Sequence, residues 1–145
     1  QKHIIVDKIK HHFKGTLKGI KIALWGLSFK PNTDDMRDAP SLSIIESLLE
    51  VGAHLQVHDP VANQEAKRRL GNLVKYFDNN YDALKGAEAL VLVTEWNEFR
   101  RPDFDRMKSL MKEPTVFDGR NIYDPAKLRE KGFTYYGIGR DGGKE

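Results

Sequence analysis

The sequence predicts an α/β protein, a three-layer α/β/α sandwich around a mainly parallel six-stranded sheet with one helix ahead of it. Three observations carry this reading. Short apolar runs bounded by turn residues alternate with helical segments along the whole chain, and repeated strand–helix–strand units imply right-handed crossovers between parallel strands. Ala89-Leu90-Val91-Leu92-Val93 is continuously apolar, the pattern of a central strand covered on both faces. Gly52, Gly71 and Gly132 follow three of the helical segments, where helices commonly end in left-handed backbone.

Taken in order, Lys2–Phe13 is an amphipathic helix. Strands are expected at Ile20–Gly26, His54–Asp59, Leu73–Phe77, Ala89–Glu95, Thr115–Asp118 and Thr134–Ile138. The first helix between them, Ser41–Val51, carries Leu42, Ile45, Leu48 and Leu49 at helical spacing, and Ser43 with Glu46 fits a capping box just inside its boundary. Asn63–Leu70, Asn80–Lys85 and Pro102–Met111 follow. Pro125–Lys131 closes the series, with Asp124 as its cap and Pro125 at its first position. These elements form a Rossmann-like domain over 20–140, preceded by a helix and linker over 1–19 and followed by a tail over 141–145. There is no internal repeat and no second domain.

Composition narrows the function. The chain has 145 residues, 39% of them hydrophobic and 31% charged, enough for one folded domain with a real core and unlike a disordered chain. Its formal charge of +3 is spread along the sequence and is no nucleic-acid footprint. No apolar run approaches the roughly 20 residues of a membrane span. Cysteine is absent, which excludes disulfides, thiolate metal sites and a cysteine nucleophile from this chain. The opening Gln1-Lys2-His3 is neither an initiator methionine nor a signal peptide, and suggests a piece of a longer protein.

In an open parallel sheet, ligands bind beyond the carboxyl ends of the strands, where strand order reverses. The connection after the first strand, Gly26 to Pro40, is far longer than the ordinary 2–6 residues, which marks it as functional. It lacks the second and third glycines of a dinucleotide fingerprint. Lys30 and Arg37, at the mouth of the sheet, suit a phosphate or an anionic sugar nucleotide; equally, they can pair with Asp34, Asp35 and Asp38 as a solvated cluster. Arg120, after the fifth strand, stands at the same edge beside Gly119. Two cations from separate strands favour binding there over an arginine merely paired with Asp118 or Asp124. Trp96 and Phe99 lie near the crevice and read as packing. Asp59 ends the second strand where a dinucleotide site keeps its ribose-binding acid, but Asp59-Pro60 reads better as a turn. His54 and His58 share a strand face about 13 Å apart, too far for one metal. Ser41, Ser43 and Ser47 have no nucleophile-elbow context.

Gly26 through Ser41, Val57-His58-Asp59-Pro60, Thr94-Glu95-Trp96 and Asp118-Gly119-Arg120-Asn121, in that order, resemble the C-terminal, UDP-sugar-binding domain of the UDP-glucose/GDP-mannose dehydrogenase family. Within it they look most like the bacterial branch acting on UDP-glucose. Ser28 stands where the family pattern has a small alanine. The resemblance implies a cytoplasmic, homodimeric enzyme whose other parts are an N-terminal NAD domain and a central dimerisation helix. Its reaction oxidises the sugar C6 alcohol to a carboxylate in two hydride transfers to NAD, a cysteine thiolate holding the aldehyde between them. This chain has no cysteine, so the resemblance implies an inactive fragment, the substrate-side wall of the cleft. Residue by residue, Phe29 and Lys30 resemble the pair that contacts the nucleotide sugar, Arg120 the arginine that reaches the same substrate, and Arg37 the arginine that crosses to NAD. Thr33 and Asp35 match the motif as shapers of the loop. Other readings are the same domain from a GDP-mannose or UDP-N-acetylhexosamine dehydrogenase, a freestanding nucleotide-binding or regulatory module, and a weak nucleic-acid binder suggested by the pI alone. A severed domain is also expected to expose apolar surface near Lys2–Phe13.

Overall fold

The computed structural model describes residues 2–138, so the expected tail over 141–145 lies outside the described residues. The strands are β1 (Lys21–Trp25), β2 (His54–His58), β3 (Lys75–Tyr76), β4 (Ala89–Leu92), β5 (Thr115–Asp118) and β6 (Thr134–Tyr136). The helices are α1 (Lys2–His12), α2 (Pro40–Glu50), α3 (Asn63–Leu70), α4 (Asn97–Arg100), α5 (Phe104–Leu110) and α6 (Pro125–Glu130). All five strand pairings are parallel, in the order β3-β2-β1-β4-β5-β6. This is the doubly wound arrangement the sequence predicts, with the reversal of strand order between β1 and β4.

The two-residue period of a strand divides the core. Ile22 and Leu24 of β1 join one apolar cluster with Ile9 of α1, Ile45 and Leu48 of α2 and Ala66 of α3. Ala23 and Trp25 join the opposite cluster with Phe99 of α4, Met107 of α5 and Leu128 of α6. All four residues of β4 are buried, as a strand with a layer on each side requires. On the α4 side, Trp25 stacks on Phe99 with ring centroids 5.0 Å apart.

Several elements depart from expectation. The helix read as Ser41–Val51 begins at Pro40, after Ala39, with no side-chain cap, so the capping box from Ser43 and Glu46 does not form. Ser41 instead donates its hydroxyl to the Leu27 carbonyl oxygen at 2.6 Å, tying the helix start to the loop after β1. β3 shrinks to two residues because Gly71–Leu73 extends α3 as a 3-10 turn. The expected helix Asn80–Lys85 is a single 3-10 turn, Asp82–Leu84, whose entry is held by the Asn79 side chain accepting from the Tyr81 and Asp82 N–H groups. The expected Pro102–Met111 helix starts at Phe104, where Asp103 accepts from the Arg106 N–H at 3.0 Å, and α4 precedes it unexpectedly. Asp124 caps α6 by accepting from Ala126 at 3.0 Å, as the sequence suggests.

The apolar surface expected near Lys2–Phe13 is largely covered. Ile5, Val6 and Ile9 are buried in the domain's own core, while Ile4 stays 44% exposed. Lys8 and His12 fasten the helix to the end of β6, through the Gly137 carbonyl oxygen at 2.6 Å and the Tyr136 hydroxyl at 2.8 Å.

Candidate functional site

Register assembles the site. Trp25 pairs with both His58 and Leu92, and Leu92 pairs with Asp118, so β1, β2, β4 and β5 end level with one another. The loops leaving these strands therefore open onto one rim. Two glycines let that rim close. At Gly26, with φ +97°, a Cβ would stand 2.6 Å from the Thr94 backbone nitrogen; at Gly119 it would stand 2.6 Å from the Leu92 carbonyl oxygen.

Asp59 organises the long loop. It is 2% exposed. One carboxylate oxygen accepts from the Leu27 and Ser28 N–H groups at 2.7 and 3.3 Å, and the other accepts from Val61 and Ala62 at 2.8 Å each. The turn expected at Asp59-Pro60 is present, and the same carboxylate also fastens the neighbouring strand's loop. Further bonds fix the segment beyond. Thr94 donates its hydroxyl to the Ser28 carbonyl oxygen at 2.8 Å, and Ser28 donates its own hydroxyl to the Lys30 carbonyl oxygen at 2.8 Å. The Ser28 hydroxyl, a departure from the alanine of the motif, thus closes a local turn. Thr33 accepts from the Asp35 N–H at 3.1 Å, the shaping role expected of that pair.

The four candidate residues fall into different environments. Phe29 is 53% exposed and projects from this pinned loop. Lys30 is exposed and, among the described residues, has no carboxylate partner. Arg37 takes the clustered alternative: its Nε and Nη2 each donate to Asp35 at 3.0 Å, and this pairing holds the Asp35 carboxyl down at about 2. Arg120 is paired, though with neither Asp118 nor Asp124 through its guanidinium. Its Nε donates to Glu95 at 2.9 Å, and Arg100 donates to the other Glu95 oxygen at 3.1 Å. The Arg120 backbone N–H donates to Asp118 at 3.1 Å. Asp118 is fully buried and also accepts from the Tyr123 N–H and the Tyr135 hydroxyl.

A cavity of about 290 Å³ lies beside these groups, walled by Ile5, Ile44, Leu92, Val93 and Ile138 with Arg120 at its edge. Apolar walls with one cation at the rim suit a ligand that carries both a flat or aliphatic part and an anionic part. The segments that bear the cations are tied to one dipeptide: Thr94 holds the loop bearing Lys30, and Glu95 holds Arg120.

A dinucleotide fits this chain poorly. In a dinucleotide fold, N–H groups after the first strand and the following helix start receive the pyrophosphate. Here the Leu27 and Ser28 N–H groups already bind the Asp59 carboxylate, and α2 begins only at Pro40. Arg37 can offer a guanidinium to a dinucleotide held elsewhere, and the described residues form no cradle for it.

The remaining candidates are structural. Phe99 is buried, and Trp96 is half-buried against the same cluster. His58 is buried, with Nδ1 2.8 Å from the Phe77 carbonyl oxygen and Nε2 3.4 Å from a Glu98 carboxylate oxygen, while His54 is exposed. Among the described residues no three His, Asp or Glu side chains gather as a metal set. Sequence reasoning missed Asp59 as the loop's anchor and Glu95 as the partner of Arg120. The first had a legible signal, an acid closing the strand beside β1; the second depends on a contact 25 residues apart.

Comparison with known proteins gives the chain's family and matches its fold. The profile of the UDP-glucose/GDP-mannose dehydrogenase family, UDP binding domain, matches residues 23–125. The chain is 47% identical to a UDP-glucose 6-dehydrogenase of Pseudomonas aeruginosa over 97% of its own length and 32% of the relative's. It is also 47% identical to one of Rhizobium meliloti over 87% and 29%. The chain thus spans about a third of the length of these relatives. A UDP-glucose dehydrogenase structure from Pyrobaculum islandicum superposes with a TM-score of 0.75 at 32% identity, over 89% of this chain and 27% of that one. An NDP-N-acetyl-D-galactosaminuronic acid dehydrogenase from Methanosarcina mazei gives 0.80 at 29%, over 97% and 29%. With the match covering most of its length, the chain belongs to the UDP-glucose/GDP-mannose dehydrogenase family, as its UDP binding domain.

Proposed function

We propose that this domain holds the nucleotide sugar of a cytoplasmic, NAD-dependent UDP-glucose 6-dehydrogenase, the rest of the protein supplying the NAD domain, the central dimerisation helix and the catalytic cysteine. The observation that carries this reading is the pair of cations, Lys30 and Arg120, borne by different strand ends but tied to one Thr94-Glu95 segment beside an apolar-walled cavity. A nucleoside diphosphate sugar has the matching parts: a flat base, an uncharged sugar, and a diphosphate whose charge the two cations balance. Phe29, exposed beside Lys30, offers its ring to the same ligand. Arg37, its side chain 80% exposed, is the residue this reading assigns to NAD held by the other domain. Bound NAD supplies the hydride acceptor. This chain's residues hold and orient the sugar nucleotide, and without cysteine they offer no thiolate for a covalent intermediate.

The 47% identity to UDP-glucose 6-dehydrogenases favours UDP-glucose over other nucleotide sugars. The test is NAD reduction with UDP-glucose by the full-length protein and by residues 1–145 alone. Activity in the first and none in the second is expected. Turnover by the 145-residue chain above background contradicts the assignment of the chemistry to the missing parts.

A further inference from the structure

We infer that Glu95 is a positioning residue, holding the Arg120 guanidinium ready for the diphosphate before the nucleotide sugar arrives; this rests on the substrate role of Arg120 proposed above. Arg120 follows Gly119 on a bend, and its backbone is fixed by Asp118, but its side chain is 45% exposed and long enough to sample many rotamers. Glu95 removes that freedom. Nε and Nη2 of Arg120 both donate to the same carboxylate oxygen, which fixes the plane of the guanidinium and leaves three of its five N–H donors for a ligand. A side chain ordered in advance loses less entropy on binding, so its contacts count more fully toward affinity.

The opposing effect is Coulombic, since a carboxylate beside the site repels an anion. Arg100 offsets it by pairing with the second Glu95 oxygen at 3.1 Å, leaving the triad one net positive charge. Glu95 lies in the loop after β4, next to Thr94, whose hydroxyl bonds to the loop bearing Phe29 and Lys30. One dipeptide thereby sets both halves of the anion site. Positioning and repulsion predict opposite signs for removal of the carboxylate, which makes the inference decidable.

The experiment uses the full-length dehydrogenase carrying Glu95→Ala, Glu95→Gln, Arg120→Ala and the Glu95→Ala/Arg120→Ala double variant. Steady-state NAD reduction gives KM and kcat for UDP-glucose, and calorimetric titration with UDP reads the diphosphate contact without the sugar. Glu95→Ala is expected to raise KM and the UDP dissociation constant about tenfold with kcat within about twofold, because the contact is made equally in ground and transition states. Glu95→Gln, whose amide oxygen still accepts from Nε, should recover part of the loss. In the Arg120→Ala background, Glu95→Ala should add nothing. Unchanged or tighter binding by Glu95→Ala, or an equal loss in both backgrounds, overturns the role of Glu95 alone. No change on Arg120→Ala overturns the substrate assignment of Arg120, and the role of Glu95 with it.

Discussion

Asp59→Ala removes one buried carboxylate and the four backbone hydrogen bonds it accepts. Three of the donors, on Leu27, Ser28 and Ala62, belong to fully buried residues, whereas Val61 is 50% exposed and its N–H can turn to water. At the lower end of the ~1–3 kcal/mol cost of an unsatisfied buried group, the three give about 3–4 kcal/mol. That is a large part of the ~5–15 kcal/mol that stabilises a domain. At about 3 °C per kcal/mol for this size, the melting midpoint should fall by about 10 °C. Asp59→Asn keeps one acceptor oxygen but turns an NH2 toward two donors, so about half the loss, ~2 kcal/mol, is expected. Urea denaturation of residues 1–145, read by tryptophan fluorescence, measures both variants, and Trp25 at the end of β1 reports the affected region. A loss below ~1 kcal/mol for Asp59→Ala would refute the idea that this carboxylate holds the loop bearing Phe29 and Lys30.

Two further outcomes follow from the titrating groups. Burial lowers the pKa of His12 below its usual 6.5, outweighing the pull of Glu113 in the other direction. The unfolded chain therefore binds the proton more readily, so stability is full above about pH 6.5 and falls as pH drops through the lower folded value. Melting curves between pH 5 and 8 should show this slope, and His12→Asn should flatten it; an unchanged slope assigns the effect to other groups. Asp35, held at about 2 by Arg37, should titrate there in carboxyl-resolved NMR and return toward 3.8 in Arg37→Ala. A midpoint near 3.8 in the parent protein would mean that the bidentate pair does not persist in solution.

The sheet was legible because its signals are local or periodic. The unbroken apolar runs of β4 and of β1 from Ile22 to Trp25 identify buried strands, and Asp124-Pro125 with Gly132 bounds α6 by its own chemistry. The weaker elements failed where tertiary contacts decide. β3 is an edge strand paired on one side only, over Lys75 and Tyr76, with Phe77 adding one N–H bond to the Val57 carbonyl oxygen, and Leu73 turns outward at 65% exposure. The capping box at Ser43 and Glu46 lost to a helix begun by Pro40 and tied down by Ser41. At the site, the candidate cations were visible as residue types in strand-end loops, but their partners were not. Arg37 finds Asp35 two residues away, a pairing the sequence offers, whereas Arg120 finds Glu95 across the rim, a contact that exists only once β4 and β5 lie side by side.

Calorimetric titration of UDP-glucose and of NAD into the full-length Arg120→Ala and Arg37→Ala proteins tests the division of labour at this rim most directly. A hydrogen bond to a charged group contributes ~1.5–3 kcal/mol, about ten- to a hundredfold in affinity. Arg120→Ala should lose that much for UDP-glucose while NAD affinity without sugar stays nearly unchanged. Arg37→Ala should do the reverse. Equal weakening of both ligands by both variants would contradict the assignment and reduce the two arginines to supports of their loops.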